Sequence, residues 1–278
     1  MDEKAFWNKR FLECGHTGWC DDVLYEYDQA LRLSALRRVV LQRQGSLQGK
    51  NALDIGCGVG DFSMMLAELG AKVTGIDICE NAVNIASKRC FERKIPCNFY
   101  TLSVTDVDTL NDTFDVAISI TVLQHISDED ILAAANKIIS LLKPGGYVYI
   151  LEAAPLSLCD GREIDYVHIR NRACWINLFR ESGATFIYDM MYPSFGIFLL
   201  RNRYIKRLYR TLKPCVKRTS RTGGHFGGPT GVGGHSLISL FERIMLWIAR
   251  PVDHLCLYTP QISIFGSMRL MVFQKKCS

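Results

Sequence analysis

Three glycines at alternate positions, Gly56, Gly58 and Gly60, follow a short apolar run that carries an acid, Asp54. Backbone without Cβ atoms lets a ligand lie directly against the chain. A helix opening just after such a turn offers free N–H groups and the positive end of its dipole. Asp77 stands 17 residues beyond Gly60, where a carboxylate can accept both hydroxyls of a ribose. The chemistry suggested is the holding of a nucleoside-bearing ligand, and a nicotinamide dinucleotide suits the glycine turn as well. For proton transfer near neutral pH histidine is the natural group. Of the six histidines, His125 and His168 are the leading base candidates and His16 a third. A hydrogen-bonded structural histidine is the plainer account of each. No His-rich cluster argues for a metal.

The elements that must position these groups alternate. Strands are expected at Asn51–Ile55, Lys72–Ile76, Cys97–Leu102, Phe114–Ile120 and Tyr147–Leu151. Helices fall between them at Asp61–Leu69, Glu80–Phe91 and Glu129–Leu142, the last broken by Pro144-Gly145-Gly146. This alternation implies right-handed βαβ units and a mostly parallel sheet. A helix at Ala173–Ser182 and strands at Thr185–Met190 and Ser267–Gln274 complete the pattern. The expected fold class is therefore α/β: a doubly wound, mostly parallel seven-stranded sheet. Residues 1–48 form an N-terminal helical cap, 49–191 and 267–278 the core, and 192–266 a cap insertion between the last two strands. In such sheets a ligand lies beyond the C-terminal ends of the strands. That places the glycine turn, Asp77 and His125 on one edge.

The run Leu53-Asp54-Ile55-Gly56-Cys57-Gly58-Val59-Gly60, the acid Asp77 and Leu142-Lys143-Pro144-Gly145-Gly146 together resemble the Rossmann-like class I S-adenosylmethionine-dependent methyltransferases of the small-molecule type. The resemblance is close over roughly 50–152 and loose over 170–190. It implies an enzyme that takes S-adenosyl-L-methionine. Gly56, Gly58 and Gly60 would face the methionine part of the cofactor and Asp77 its ribose. Ser103 stands where the family often has Asp for the adenine amino group, and the Val104 N–H would meet the ring. Asp54, Cys57, Ile78, Ile120 and Thr121 complete the implied core site. From the N-terminal cap, Tyr27 could close over the cofactor and Arg32 hold its carboxylate, although core packing explains the aromatic residues equally well. The segment Thr121-Val122-Leu123-Gln124-His125-Ile126 belongs near the reactive sulfonium.

The methyl acceptor is expected to be a small molecule, through a hydroxyl oxygen of a sugar, glycan precursor or natural product. The rivals are N-methylation, an RNA or protein acceptor, and a non-catalytic cofactor-binding protein. The net charge of +5 is modest, but nine Lys/Arg and no Asp/Glu fall between Arg201 and Arg221. Apolar residues recur at helical spacing among them, which reads as a basic amphipathic helix. A solvated cap face accounts for it, as does an anionic or lipid-linked substrate, or peripheral membrane contact through 197–221. No companion motif supports nucleic acid. The eleven cysteines lack any C-x-x-C spacing, so free thiols and a cytoplasmic location are expected. The N-terminus shows no apolar signal region. The sequence leaves the oligomeric state open.

Overall fold

A computed structural model describes residues 3–16, 18, 22–155, 167–192, 235–258 and 268–277. Seven strands form one sheet: β1 (Asn51–Ile55), β2 (Lys72–Asp77), β3 (Cys97–Thr101), β4 (Phe114–Ile120), β5 (Leu142–Ala153), β6 (Ala184–Met191) and β7 (Met268–Lys275). Their order is β3-β2-β1-β4-β5-β7-β6. The first five are parallel, and β7 runs antiparallel between β5 and β6. The sheet is mostly parallel and seven-stranded, as the alternation of elements implied.

Side chains alternate across the pleat. Leu53, Ile55, Ala117, Val148, Ile150, Met271 and Phe273 enter one core. Ala52, Val116, Ile118, Tyr149, Leu151, Leu270 and Val272 enter the other. Both faces are covered, which is why the central strands read as continuous apolar runs. On the first face lie α5 (Ile131–Leu141) and α6 (Arg172–Glu181), with Ile138 and Trp175 fully buried. On the second lie α2 (Asp22–Gln44) and α3 (Asp61–Glu68), joined by α7 (His235–Tyr258) through Leu246. The outer helix α4 (Glu80–Arg93) carries α1 (Glu3–Cys14), with Phe11 against Cys79 and Ala82.

Three local readings need correction. The Pro144-Gly145-Gly146 run does not separate helix from strand, because β5 begins at Leu142 and pairs there with Phe114. Gly145 takes φ +76° and the register shifts nearby, so the glycines serve an irregularity inside the strand. Helix α7 has no counterpart in the sequence reading, which treated its residues as part of an undivided insertion. Its signal was nonetheless present, since Ile244, Ile248, Val252 and Leu255 recur at helical spacing. Cys14 is disulfide-bonded, against the expectation of free thiols throughout. The basic segment 197–221 lies outside the described residues.

Candidate functional site

The strand order reverses between β1 and β4, whose outer neighbours are β2 and β5. Beyond the C-terminal ends of these strands lies a cavity of about 740 Å³. That is where an open α/β sheet leaves a crevice, and the volume suits a cofactor with room beside it.

One wall is the turn after β1. Gly58 has φ +52° and Gly60 φ +87°, backbone that L side chains rarely adopt. The Gly58 N–H donates to Asp77 Oδ2 at 2.8 Å, and the Cys79 N–H donates to Asp77 Oδ1 at 2.8 Å. Burial pushes the Asp77 carboxyl up from its usual range, while these two N–H groups pull it back. Each oxygen keeps a second lone pair for a ligand hydroxyl. Asp54 sits behind the turn, fully buried, accepting from Ser63 Oγ at 2.6 Å. Burial raises it to about 7 against the Ser63 hydrogen bonds. It ties β1 to α3 and does not line the cavity. Gly60 is also absent from the lining; a Cβ there would stand 3.1 Å from the Ala86 Cβ, so close packing on α4 demands glycine.

The opposite wall is the turn after β4. Thr121 has φ +57°, a strained conformation for a β-branched residue and worth about 1–3 kcal/mol. Its N–H donates to Leu151 O at 2.8 Å, and its hydroxyl accepts from Arg32 Nη1 at 3.1 Å. A 3-10 turn, Leu123–His125, follows. Its N–H groups converge on Glu152 from the end of β5. Oε1 accepts from Val122 at 3.1 Å and Leu123 at 3.0 Å, and Oε2 accepts from Gln124 at 3.3 Å. Glu152 is completely buried, which pushes its carboxyl up to about 8 against those N–H groups and Arg32. The carbonyls at the other end of the turn are held by Arg170. It donates to Leu123 O at 3.2 Å and Ile126 O at 2.7 Å. Two buried polar side chains, Glu152 and Arg170, therefore clamp the turn that presents His125 to the cavity. The His125 ring packs edge-on to Trp7 with centroids 4.8 Å apart.

The roof comes from α1, α2 and the chain between them. Arg32 pairs with Asp28 at 2.6 Å, and Asp28 accepts from the Tyr192 hydroxyl at 2.8 Å. The Arg32 Nε is buried without a hydrogen-bond partner, so a cavity-lining guanidinium keeps one donor unused. His16 lines the cavity too, stacked on Tyr25 with ring centroids 3.6 Å apart. Its Nε2 lies 3.8 Å from Asp22 Oδ1, too far for a hydrogen bond. Burial lowers the His16 pKa below the usual 6.5 despite the pull of Asp22.

The cavity thus collects Gly56, Cys57, Gly58, Asp77, Ile78, Ser103, Val104, Ile120, Thr121, Arg32 and His125. Tyr27, Asp54, Gly60 and His168 are not among its lining residues. The Tyr27 hydroxyl donates to Asp253 at 2.7 Å, fastening α2 to α7 instead. His168 meets the site through its backbone, donating to Gln124 O at 2.7 Å, while its neighbours Val167 and Ile169 face the cavity. Ser103 spends its hydroxyl capping the 3-10 helix Val104–Thr109 through the Thr105 N–H. Sequence reading missed Glu152, Arg170 and Trp7. A charged residue closing the apolar run Tyr147–Leu151 was the available signal for Glu152.

Residues 52–146 match the family model described as "Methyltransferase domain". Among curated proteins, the ubiquinone biosynthesis O-methyltransferase of Chromobacterium violaceum is 30% identical over 141 residues, covering 50% of this chain and 59% of that protein. The protein of the same name from Aromatoleum aromaticum is 32% identical over 142 residues, covering 51% and 59%. The chain therefore spans under two thirds of the length of these relatives. Among solved structures, the cyclase SpnF superposes with TM-score 0.56 at 19% identity, covering 87% of this chain and 80% of that one. Magnesium protoporphyrin IX methyltransferase from Synechocystis PCC 6803 with bound SAM superposes with TM-score 0.55 at 23% identity, covering 69% and 90%. At these identities the likeness is one of fold.

Proposed function

We propose that this chain, which carries a methyltransferase domain over residues 52–146, transfers a methyl group from S-adenosylmethionine to a hydroxyl oxygen of a small molecule. One observation carries the reading. A single cavity joins the glycine turn and Asp77 on one wall to His125 on the other. When bound, S-adenosylmethionine supplies an electrophilic methyl group. The residues present fit it. Asp77 offers acceptors to the ribose hydroxyls, Gly58 leaves the backbone bare, and Arg32 has an unused buried donor for the methionine carboxylate. Val104 and Ile78 line the remaining surface on that side.

His125 is the group placed to accept the proton from an acceptor hydroxyl. Trp7 of α1 packs against one edge of its ring. Orientation by the clamped turn supplies the rest, because holding two reactants in line removes much of the entropic barrier. The O-methyltransferase names of the curated relatives support an oxygen acceptor. A sugar, a glycan precursor or a natural product is the acceptor class, anionic or lipid-linked in view of the basic tract. That tract, 197–221, would give the chain a peripheral membrane contact. The fold alone does not fix the reaction, since SpnF is a cyclase.

The test is transfer of isotopically labelled methyl from S-adenosylmethionine into a metabolite extract, read by mass spectrometry. A labelled small molecule whose label resists mild acid and base, as an ether does, is the expected product. Tight cofactor binding with no label in metabolites, RNA or protein would overturn the transferase reading.

A further inference from the structure

His16 is only 8% exposed, yet neither of its ring nitrogens has a hydrogen-bond partner among the described residues. Buried polar atoms are rarely left in that state, because the loss of hydration goes uncompensated. The Arg32 Nε is in the same condition, and both side chains line the same cavity. Two unanswered polar groups facing one cavity point to a ligand that answers both.

The ring is held in place from several sides. Gly15, at φ +74°, ends α1 with its N–H donating to Phe11 O at 2.8 Å. Just beyond, the Gly18 carbonyl accepts from Arg10 Nε at 3.3 Å and Nη2 at 2.9 Å. A Cβ on Gly18 would stand 2.7 Å from the Tyr25 Cδ2, so this stretch lies tight against Tyr25. The His16 ring stacks on Tyr25 with the two planes 7° apart. The Tyr25 hydroxyl hydrogen-bonds Asp61, the first residue of α3, and Gln29 Nε2 donates to the same carboxylate at 3.1 Å. The charges that bear on His16 are Asp22, Arg10 and Asp61, none of them from the turn that carries His125. His16 therefore stands over the glycine turn, where α3 begins.

The next step rests on the reading of this cavity as an S-adenosylmethionine site. Asp77 answers the ribose hydroxyls and Arg32 the carboxylate of such a ligand. Its α-ammonium, on the same carbon as that carboxylate, still needs an acceptor. Asp28 already binds Arg32 with Oδ2 and Tyr192 with Oδ1. An imidazole accepts from an ammonium only while it is neutral. Burial holds the His16 pKa below the usual 6.5, aided by Arg10 and against Asp22 and Asp61, so an acceptor nitrogen is open at neutral pH. We propose that His16 binds the amino-acid head of S-adenosylmethionine, its imidazole accepting a hydrogen bond from the α-ammonium while Arg32 takes the carboxylate. His16 then serves the methyl donor and leaves proton removal from the acceptor to His125.

The test is calorimetry of the full chain with two probes, S-adenosylhomocysteine and 5′-methylthioadenosine. They share the adenosine and the sulfur, and only the first carries the amino-acid head. The variant His16→Phe keeps a ring to stack on Tyr25 and removes both nitrogens, and circular dichroism checks its fold. It should weaken S-adenosylhomocysteine about tenfold or more, as loss of a hydrogen bond to a charged group does. Its affinity for methylthioadenosine should stay that of the wild type, whereas Asp77→Ala should weaken both probes. His16→Gln restores an acceptor and should recover part of the loss. Unchanged S-adenosylhomocysteine affinity in His16→Phe overturns the proposal. Equal weakening of both probes also overturns it, because the ring would then only shape the pocket. In a chain labelled at histidine, the His16 ring-nitrogen resonances should shift on adding S-adenosylhomocysteine, and resonances that stay in place overturn the contact even if methylthioadenosine binds too weakly to measure. A wild type that binds neither probe overturns the cofactor reading itself, and this inference with it.

Discussion

At the scale of single residues, Asp77 does two things with one carboxylate. It accepts the Gly58 and Cys79 N–H groups, which shapes the glycine turn, and it keeps lone pairs toward the cavity. Replacing it with Ala should weaken S-adenosylmethionine binding by about 1.5–3 kcal/mol, the range for hydrogen bonds to a charged group. Titration calorimetry on a variant shown to be folded measures this, and unchanged affinity would remove Asp77 from the cofactor site. That Asp77, Gly56 and Gly58 share one end of the sheet was legible in the sequence because one βαβ unit fixes their spacing, whereas Gly60 packs on α4 instead. Glu152, Arg170 and Trp7 were not legible. They come from β5, from the chain before α6 and from α1, and only the tertiary fold brings them to the turn that bears His125. His168 illustrates the converse. Its position in sequence suggested a side chain in the site, but what the structure brings there is its backbone N–H.

At the scale of elements, the cavity is the gap between two turns that nearly touch. A Cβ on Gly56 would stand 2.1 Å from the Val122 Cγ2. Glycine at 56 therefore serves the packing of the turn after β4 against the turn after β1, as well as ligand approach. Gly56→Ala should destabilise the protein by about 2–4 kcal/mol, combining left-handed backbone strain with overpacking. Adding Val122→Ala should recover part of that loss, because the clash disappears and only the strain at φ +69° remains. Denaturant unfolding of both single variants and the double variant gives the coupling. Additive effects would mean that Val122 yields freely and that the two turns are independent. The strands of the core were predictable from apolar alternation and short turns. The start of β5 was not, since Gly145 and Gly146 read as a break but sit within the strand. Gly145 is held by its φ of +76°, and Gly146 by sterics: a Cβ there would come within 3.1 Å of the Asp115 carbonyl oxygen on β4.

At the scale of the whole molecule, buried carboxylates set the pH response. Burial raises Asp54 to about 7 and Glu152 to about 8 in the folded chain, above their ordinary values near 4. A raised folded-state pKa contributes stability that is complete below the unfolded value and is lost as pH rises through the folded one. Asp189 has the opposite sign. Against its burial, the Arg172 and Arg269 guanidiniums hold it below the usual range, so its contribution fades only as the solution turns acidic. Unfolding free energy should therefore fall between about pH 4 and pH 8, and Glu152→Gln should flatten that decline. Chemical denaturation across this window tests it. A wild-type profile that rises instead would mean that Glu152 stays ionised on its three N–H donors. The topology has a separate consequence. Strand β6 ends and β7 begins at the cavity, the Tyr192 N–H donates to Met268 O at 2.9 Å, and both residues line it. The two ends of the insertion are thus pinned together by the sheet itself. Closing a longer excursion there costs only about 0.6 kcal/mol for each doubling of its length. The insertion can be lengthened, shortened or exchanged while the walls built by the turns after β1 and β4 stay intact. Grafting an insertion from another member of the fold at Tyr192 and Met268 is accordingly the natural route to a differently shaped cavity.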